Sequence, residues 1–249
     1  MSPISSESIF HFTSSMRNLT NILRNEFRPM LSFERIVLEG ITLEGYFPMV
    51  CFCNIPLSQI SRHIDKYGHY GIGMSYDWVK KTGLNPILYL RAGSILSTHI
   101  KKIYLHLLQQ GRDRHTDDAT AALLDILRYI KAYRGNFYRG GRLIKKNVKF
   151  YNERELRYVP SPARVDGLYY LSEDKYNDPI QRNKVDSKLA KVKLRFEPND
   201  INYIIIDSQH EITEMVDVLN DIKRPKYSTR TVEILTTKII TCRQILKDF

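Results

Sequence analysis

The sequence is poor in cysteine and lacks the common catalytic signature motifs. Its three cysteines are Cys51, Cys53 and Cys242, and a sparse, odd number is a poor framework for disulfides. No second Cys/His pair follows Cys51 and Cys53 at zinc spacing, which predicts buried thiols and no metal site. The P-loop, the dinucleotide-binding glycine motif, the HExxH zinc motif and the GxSxG nucleophile elbow are also missing. Those chemistries therefore have no support in the sequence.

Long apolar segments are missing as well. No stretch approaches the roughly 20 apolar residues that a membrane span needs. The first twelve residues lack a basic segment followed by a long apolar one, so no signal peptide is expected. Hydrophobic residues make up 43% and charged residues 26% of the 249, which is ordinary for a folded domain. We therefore predict a cytoplasmic protein without a membrane partner, folded as a single domain over residues 1–249.

The charge of the chain is strongly basic. Lys and Arg number 38 against 27 Asp and Glu, which gives a formal net charge of +11. Such a balance favours polyanionic partners, namely nucleic acid, an acidic protein or a phosphate-bearing cofactor. A generally basic surface without a specific partner is the alternative.

Much of this charge is concentrated between Arg128 and Arg157, where aromatic residues interleave with basic ones. This mixture suits single-stranded nucleic acid, because cations follow phosphates and aromatic faces stack on bases. A solvated helix face followed by a loop would explain the same stretch without a ligand. The candidate nucleic-acid contacts are Arg134, Arg139, Arg142, Lys145 and Lys146.

Hydrophobic spacing predicts a mixture of strands and helices. Residues 9–13 are typical of a strand, and Ser14 and Ser15 are expected to cap the helix that follows. Two helical stripes over 94–134 predict an α-helical insertion, which a polar turn divides. Strands are expected to resume at 148–159. The sequence therefore predicts an α+β fold.

His11 is the first candidate site residue. Strand alternation over 9–13 places His11 and Thr13 on one face and the neighbouring phenylalanines on the other. A histidine in this position either forms a structural hydrogen bond to a neighbouring loop or faces a binding site. The segment by itself leaves both interpretations open.

Two carboxylates in the predicted strand 148–159 are the second candidates. A period of two puts Glu153, Glu155 and Arg157 on one face, with the carboxylates about 7 Å apart. The carboxylates either are exposed and bridged to basic neighbours, or line a cleft. In a cleft, a carboxylate pair can move protons or hold a sugar hydroxyl.

Five sequence blocks follow one another along the chain, namely Ile9–Thr13, Met49–Ser58, Tyr67–Gly73 with Trp78, Asn85–Tyr89 and Glu153–Arg157. In this order they together resemble the abortive-infection protein AbiGi family, and the resemblance spans nearly the whole chain. That family carries the label of a phage-resistance antitoxin. The order of elements also resembles the ADP-ribosyltransferase fold, including the DarT toxins.

The resemblance implies an ADP-ribosyltransferase-like split β-sheet core with a helical insertion at about 94–134, and NAD as co-substrate without a metal. Glu155 would stabilise the positive charge that develops on the ribose, and Glu153 would orient the acceptor. His11 would bind the ribose or the nicotinamide amide, and Arg157 or Arg154 would pair with the pyrophosphate. Further NAD-binding positions implied by the resemblance are Thr13, Phe52, Asn54, Tyr67 and Tyr70.

The function implied is a phage-defence toxin that transfers ADP-ribose from NAD to nucleic acid, with RNA favoured over DNA. Such a toxin requires a neutralising antitoxin protein, and a module that also contains a chaperone is a further expectation. The first alternative is a non-catalytic antitoxin or nucleic-acid-binding regulator of an abortive-infection system. The second keeps the active site and changes the acceptor to a protein.

Overall fold

The computed structural model describes residues 6–110, 117–139 and 142–248, without the side chains of Arg62 and Arg139. The fold is α+β, as predicted. The β-strands, in chain order, are β1 (Ser8–Thr13), β2 (Met30–Leu38), β3 (Ile41–Cys53), β4 (Tyr70–Ser75), β5 (Asn85–Pro86), β6 (Leu88–Leu90), β7 (Ile130–Ala132), β8 (Gly135–Arg139), β9 (Arg142–Val148), β10 (Glu155–Tyr158), β11 (Ile201–Ile206) and β12 (Ile239–Thr241).

The helices are distributed along the whole chain between single strands and groups of strands. Short 3-10 turns separate several elements, and the one at Phe150–Glu153 is important for the site. None of the helices within the described residues is both long and apolar enough to cross a membrane. The α-helices are α1 (Met16–Asn25), α2 (Ser61–Tyr67), α3 (Tyr76–Thr82), α4 (Ile95–Gln109), α5 (Asp118–Arg128), α6 (Glu173–Asn177), α7 (Pro179–Leu189), α8 (Ile212–Lys223), α9 (Thr229–Thr236) and α10 (Cys242–Asp248).

The chain divides into two compact units, each with an apolar core of its own. The first unit comprises Met1–Phe27, Cys51–Leu84 and Lys193–Phe249, and the second comprises Arg28–Val50 and Asn85–Val192. This division into compact units does not test the prediction that residues 1–249 form a single domain, which stays a prediction. Buried core residues of the first unit include Phe10, Ile60, Ile64, Ile205 and Ile245. Those of the second unit include Ile36, Leu38, Leu90, Leu123 and Ile130.

In the first unit, β4 lies between β1 and β11 and is antiparallel to both, while β12 is parallel to β11. The predicted strand at 9–13 and its helix are confirmed, and the Ser15 side chain accepts the Asn18 backbone N–H to cap α1. Gly73 lies in β4, where a Cβ would come within 2.8 Å of the Phe10 ring. A glycine here therefore lets the aromatic side chain of β1 pack directly on the neighbouring strand.

In the second unit, β2 and β3 form a long antiparallel pair, β10 pairs with β5, and β6 pairs in parallel with β7. The helical segment predicted at 94–134 contains α4 and α5, which are capped by Ser94 and Asp117. The central part of the predicted polar turn, 111–116, lies outside the described residues. The segment ends in strand β7, which the helical spacing did not predict.

The predicted strand over 148–159 is wrong in its middle. Phe150–Glu153 forms a 3-10 turn, Arg154 adopts a left-handed conformation with φ of 44°, and β10 begins only at Glu155. Burial of the Phe150 side chain favours the turn over a continuous strand. Strand alternation therefore places Glu155 and Arg157 on one face of β10. It does not apply to Glu153, which lies in the turn before the strand.

Candidate functional site

Glu153 and Glu155 nevertheless reach a common partner, Lys131 of β7. The Lys131 Nζ atom lies 3.1 Å from Glu153 Oε2 and 2.6 Å from Glu155 Oε2. Both carboxylates are buried. The structure thus brings together the two predicted acidic residues, by a turn that points Glu153 back toward β7 and not by shared strand alternation.

Arg157 is the most deeply buried charged member of this group, with no exposed surface. Its Nε donates to Glu155 Oε1 at 2.6 Å, and its Nη2 donates to Glu34 Oε1 at 2.6 Å. Its Nη1 donates to the backbone carbonyl of Arg128 at 2.9 Å. We call the five side chains that meet here the buried charge cluster; they are Glu34, Lys131, Glu153, Glu155 and Arg157.

The electrostatics of the buried charge cluster differ between its carboxylates. Burial works to raise the pKa of Glu155, but the charges and hydrogen bonds of Arg157 and Lys131 outweigh it and hold that pKa well below its usual range. For Glu34 burial prevails and raises the pKa, against the attraction of Arg157 and Lys131. Glu155 is therefore ionised at neutral pH, and Glu34 is the carboxylate that more readily takes up a proton.

The hydrogen bonds of Glu155 restrict what it can do chemically. Its Oε1 accepts from Arg157 and its Oε2 accepts from Lys131, while its backbone N–H donates to the Tyr89 hydroxyl oxygen at 2.9 Å. A carboxylate that stabilises an oxocarbenium-like ribose needs an oxygen directed at the sugar. In the arrangement seen here, both oxygens of Glu155 hold the cations of β7 and β10.

His11 forms a structural hydrogen bond within the first unit. Its Nδ1 lies 2.8 Å from the backbone carbonyl of Cys51, and because a carbonyl only accepts, Nδ1 is protonated. The imidazole packs against the rings of Phe27 and Phe52 at centroid distances of 5.3 and 5.6 Å. Burial lowers the pKa of His11, and the hydrogen bond to Cys51 opposes that effect only in part. The ring is therefore neutral near pH 7.

The lowered pKa of His11 predicts a pH-dependent loss of stability. The unfolded chain binds the proton below about pH 6.5, whereas the folded chain binds it only at lower pH, so stability falls as pH falls through this range. His11→Asn keeps a donor near Nδ1 and removes the titration. We expect wild type to lose stability relative to His11→Asn by up to about 1.4 kcal/mol per pH unit, measured by urea unfolding. Parallel pH profiles for the two proteins would contradict this assignment.

Three other predicted NAD-binding side chains of the first unit, Phe52, Asn54 and Tyr70, already have partners. Phe52 packs on Trp78, with the rings 5.5 Å apart, and the Asn54 side chain bonds the backbone of Ser6. The Tyr70 hydroxyl donates to a Glu211 carboxylate oxygen at 2.6 Å. Two further positions, Thr13 at the end of β1 and Tyr67 at the end of α2, are half-buried.

His11 belongs to the first unit, whereas Glu155 and Arg157 belong to the second. The prediction that His11 and Glu155 meet in one NAD cleft therefore stays a prediction. Each residue is held by contacts of its own unit: His11 by the Cys51 carbonyl, and Glu155 by Lys131 and Arg157.

The predicted nucleic-acid contacts lie mainly on one antiparallel pair of strands, β8 and β9. We call residues 134–139 and 142–149 the basic ribbon. Every residue from Arg142 to Asn147 is exposed, so both faces of β9 contact solvent. Arg134, just before β8, is exposed as well. Arg139 ends β8, and its side chain lies outside the described part of the structure. The helix face that was the alternative for this stretch is replaced by a strand pair.

Two members of the buried charge cluster were missed by sequence reasoning. Glu34 lies on β2 in phase with the buried Ile36 and Leu38, so a carboxylate on an apolar strand face was the available signal. Lys131 stands between Ile130 and Ala132 in a three-residue strand, which is too short for its alternation to be informative.

Comparison with known proteins identifies the class of this chain. Residues 17–207 match the model of a family named AbiGi, whose description proposes an abortive phage resistance protein and antitoxin. The abortive phage resistance protein AbiGi of Lactococcus lactis subsp. cremoris is 27% identical over 224 residues, which cover 83% of this chain and 90% of the relative. No solved structure matches the chain.

These matches define the chain as an abortive phage resistance protein, a class that acts in antiviral defence. It belongs to the AbiGi family. The family part of the resemblance seen in the sequence is thereby confirmed. The descriptions of both matches name neither ADP-ribosyl transfer nor NAD nor RNA.

Proposed function

We propose that this protein is the non-catalytic antitoxin of an abortive-infection system and neutralises a toxin protein encoded with it. The observation that carries the proposal is the pairing of Glu155. Its two carboxylate oxygens are held by Arg157 and Lys131 at 2.6 Å each, which supports a structural role for the best candidate for catalysis. The description of the matching family as an antitoxin supports the same function.

Co-expression tests the antitoxin function directly. We expect cells that express this protein alone to grow normally, and cells that express the product of the adjacent gene to recover when this protein is added. Recovery should coincide with a complex of the two proteins, detected by co-purification. Death of cells that express this protein alone, with survival under Glu155→Gln, would overturn the proposal.

A second function, binding of single-stranded RNA, is supported by the basic ribbon. Arg142, Lys145 and Lys146 are exposed on β9 and can follow a phosphate backbone. Next to them, Tyr151 leaves half of its surface exposed, and Lys149 lies over its ring at 5.7 Å. Cations beside an accessible aromatic ring suit single strands, in which bases are free to stack. An antitoxin of this kind would bind its toxin and an RNA at the same time or in turn.

ADP-ribosyl transfer from NAD, with a split-sheet transferase core, is the competing proposal. The meeting of Glu153 and Glu155 at Lys131 favours it, because the resemblance assigns a carboxylate pair to the active site. The acceptor would be RNA, DNA or a protein. The full pairing of Glu155 weighs against it, since Lys131 or Arg157 would have to release an oxygen before a ribose could bind.

Two matched variants separate these functions. Glu155→Gln and Glu34→Gln each remove a carboxylate that accepts from Arg157 at 2.6 Å, and only Glu155 has a predicted catalytic role. We expect no cleavage of labelled NAD by wild type with RNA, DNA or protein acceptors. At neutral pH Glu155→Gln should lose more stability than Glu34→Gln, because the pKa of Glu155 is lowered and that of Glu34 is raised. Transfer by wild type and Glu34→Gln that Glu155→Gln abolishes would establish the enzyme instead.

A further inference from the structure

Three potential metal ligands of different chemistry converge at one edge of the sheet in the first unit. β11 and β12 are parallel and end at Ile206 and Thr241, so the residues that follow them, Asp207 and Cys242, emerge at the same edge. β4 is antiparallel to β11, and His69, the residue just before β4, therefore reaches that edge as well. One donor atom from each of the three side chains lies within 4.8 Å of the other two.

The surrounding hydrogen bonds hold two of these ligands in place. The Nδ1 atom of His69 lies 2.6 Å from Asp207 Oδ1. The Asp207 backbone N–H donates to Glu211 Oε2 at 3.0 Å, and Glu211 Oε1 accepts from the Tyr70 hydroxyl at 2.6 Å. Glu211 thereby holds the Asp207 backbone in place, as outer partners do beside the ligands of metal sites. The loop after β11 and the start of β4 are thus coupled through side chains beside the ligands.

Gly68 supports the placement of His69. It adopts a φ of 116°, and a Cβ on it would lie 2.3 Å from the backbone oxygen of Thr13. Only glycine fits this close approach between chain segments. The conformation directs the chain from α2 into β4 so that His69 faces Asp207.

We propose that His69, Asp207 and Cys242 form a zinc-binding site, in which water completes the coordination. An imidazole nitrogen, a carboxylate oxygen and a thiolate sulfur together match the ligand preference of Zn²⁺. In a tetrahedral site with bonds of about 2.0–2.3 Å, ligand atoms lie about 3.5 Å apart. The exposed His69 side chain can make the adjustment from the present separations, since 51% of its surface is accessible.

Binding changes the tautomer of His69 and the protonation state of Cys242. The ion takes the place of the proton between His69 and Asp207, and the imidazole carries its proton on the other nitrogen. The Cys242 thiol loses its proton to solvent as the Zn–S bond forms, so about one proton is released per ion. Sequence spacing could not show this site, because its ligands lie in three distant segments that only the sheet brings together. The site shares no residue with the buried charge cluster or the basic ribbon.

The test uses the full chain after removal of metals with a chelator, under reducing conditions. We expect about one Zn²⁺ bound per chain by calorimetry, with release of about one proton. Co²⁺ in place of Zn²⁺ should produce a thiolate-to-metal charge-transfer absorption band. His69→Gln should weaken Zn²⁺ binding at least tenfold, and Cys242→Ser should abolish the cobalt band.

The controls are a histidine and a cysteine outside the site. His99→Gln replaces another exposed histidine, and Cys51→Ser replaces a cysteine that lies outside the site. Both should bind zinc as wild type does, and Cys51→Ser should keep the cobalt band. Because His69 is exposed, His69→Gln is expected to fold, which circular dichroism can verify. Unchanged zinc affinity in His69→Gln, a cobalt band that survives Cys242→Ser, or no bound ion in wild type would overturn the proposal.

Discussion

We expect Arg157→Met to lower the free energy of unfolding by about 3–5 kcal/mol, because it leaves buried carboxylates without their main partner. Arg157 pairs with Glu155 and Glu34 at 2.6 Å each and has no exposed surface. Methionine fills most of the volume of the arginine side chain. The loss of stability therefore measures the missing charge pairing more than the effect of a cavity. Denaturant unfolding at neutral pH measures the effect.

The matched control is Arg142→Met, which removes an exposed arginine and should change stability by less than about 0.5 kcal/mol.

The pH dependence of the Arg157→Met effect provides a second check. In wild type the pKa of Glu155 is lowered, so the ionised Glu155 stabilises the folded protein at neutral pH. This stabilisation is lost as pH falls through the range in which carboxylates titrate. Without Arg157, burial favours the protonated form of the Glu155 carboxyl. The difference in free energy of unfolding between wild type and Arg157→Met should therefore become smaller as pH falls toward about 5. A difference between wild type and Arg157→Met that grows as pH falls would contradict the role of Arg157 as the partner of these carboxylates. Equal losses of stability in Arg157→Met and Arg142→Met would contradict it as well.

The second large effect concerns RNA binding by the basic ribbon. We expect the triple variant Arg142→Ala, Lys145→Ala, Lys146→Ala to bind short single-stranded RNA about 100-fold more weakly at about 0.1 M salt. Each phosphate contact adds about 0.7 to the steepness with which log affinity falls with log salt concentration, because binding releases counterions from the RNA. Each contact that is lost removes this amount from the slope. The slope should therefore fall by about 2. Fluorescence anisotropy with labelled RNA over a salt series measures both quantities.

A variant with the same change in net charge controls for the general basicity of the protein. Lys81, Lys102 and Lys247 are exposed and lie outside the basic ribbon, so their joint replacement by alanine should leave most of the RNA affinity intact. Equal losses in the two triple variants would indicate nonspecific attraction to a basic surface. Tighter binding of duplex DNA than of RNA, lost in the ribbon variant alone, would replace the RNA assignment with DNA.

Local sequence patterns predicted those elements whose side chains interact within a few residues. Ser15 caps α1 as predicted, and α4 and α5 lie within the segment 94–134 for which helical spacing predicted helices. These signals succeed because capping and helical spacing depend on neighbouring residues.

The prediction failed where a local conformation depends on distant partners. Alternation described residues 148–159 as one strand, whereas a 3-10 turn and a left-handed Arg154 interrupt it. Glu153 is buried beside Lys131, twenty-two residues earlier in the chain, and Phe150 is buried as well. Propensity and periodicity do not contain this information, because the favourable contacts exist only after β7 and β10 have been placed.

By itself, the sequence determined the α+β class, the AbiGi family and the positions of the acidic and basic residues along the chain. It also placed Glu155 and Arg157 on one strand face, since alternation over two residues is a local property. Only the tertiary structure decided that Glu34 and Lys131 join them, and that His69, Asp207 and Cys242 meet at one sheet edge. The physical reason is that charge pairing and ligand convergence depend on distances between strands, which are set when the sheets assemble.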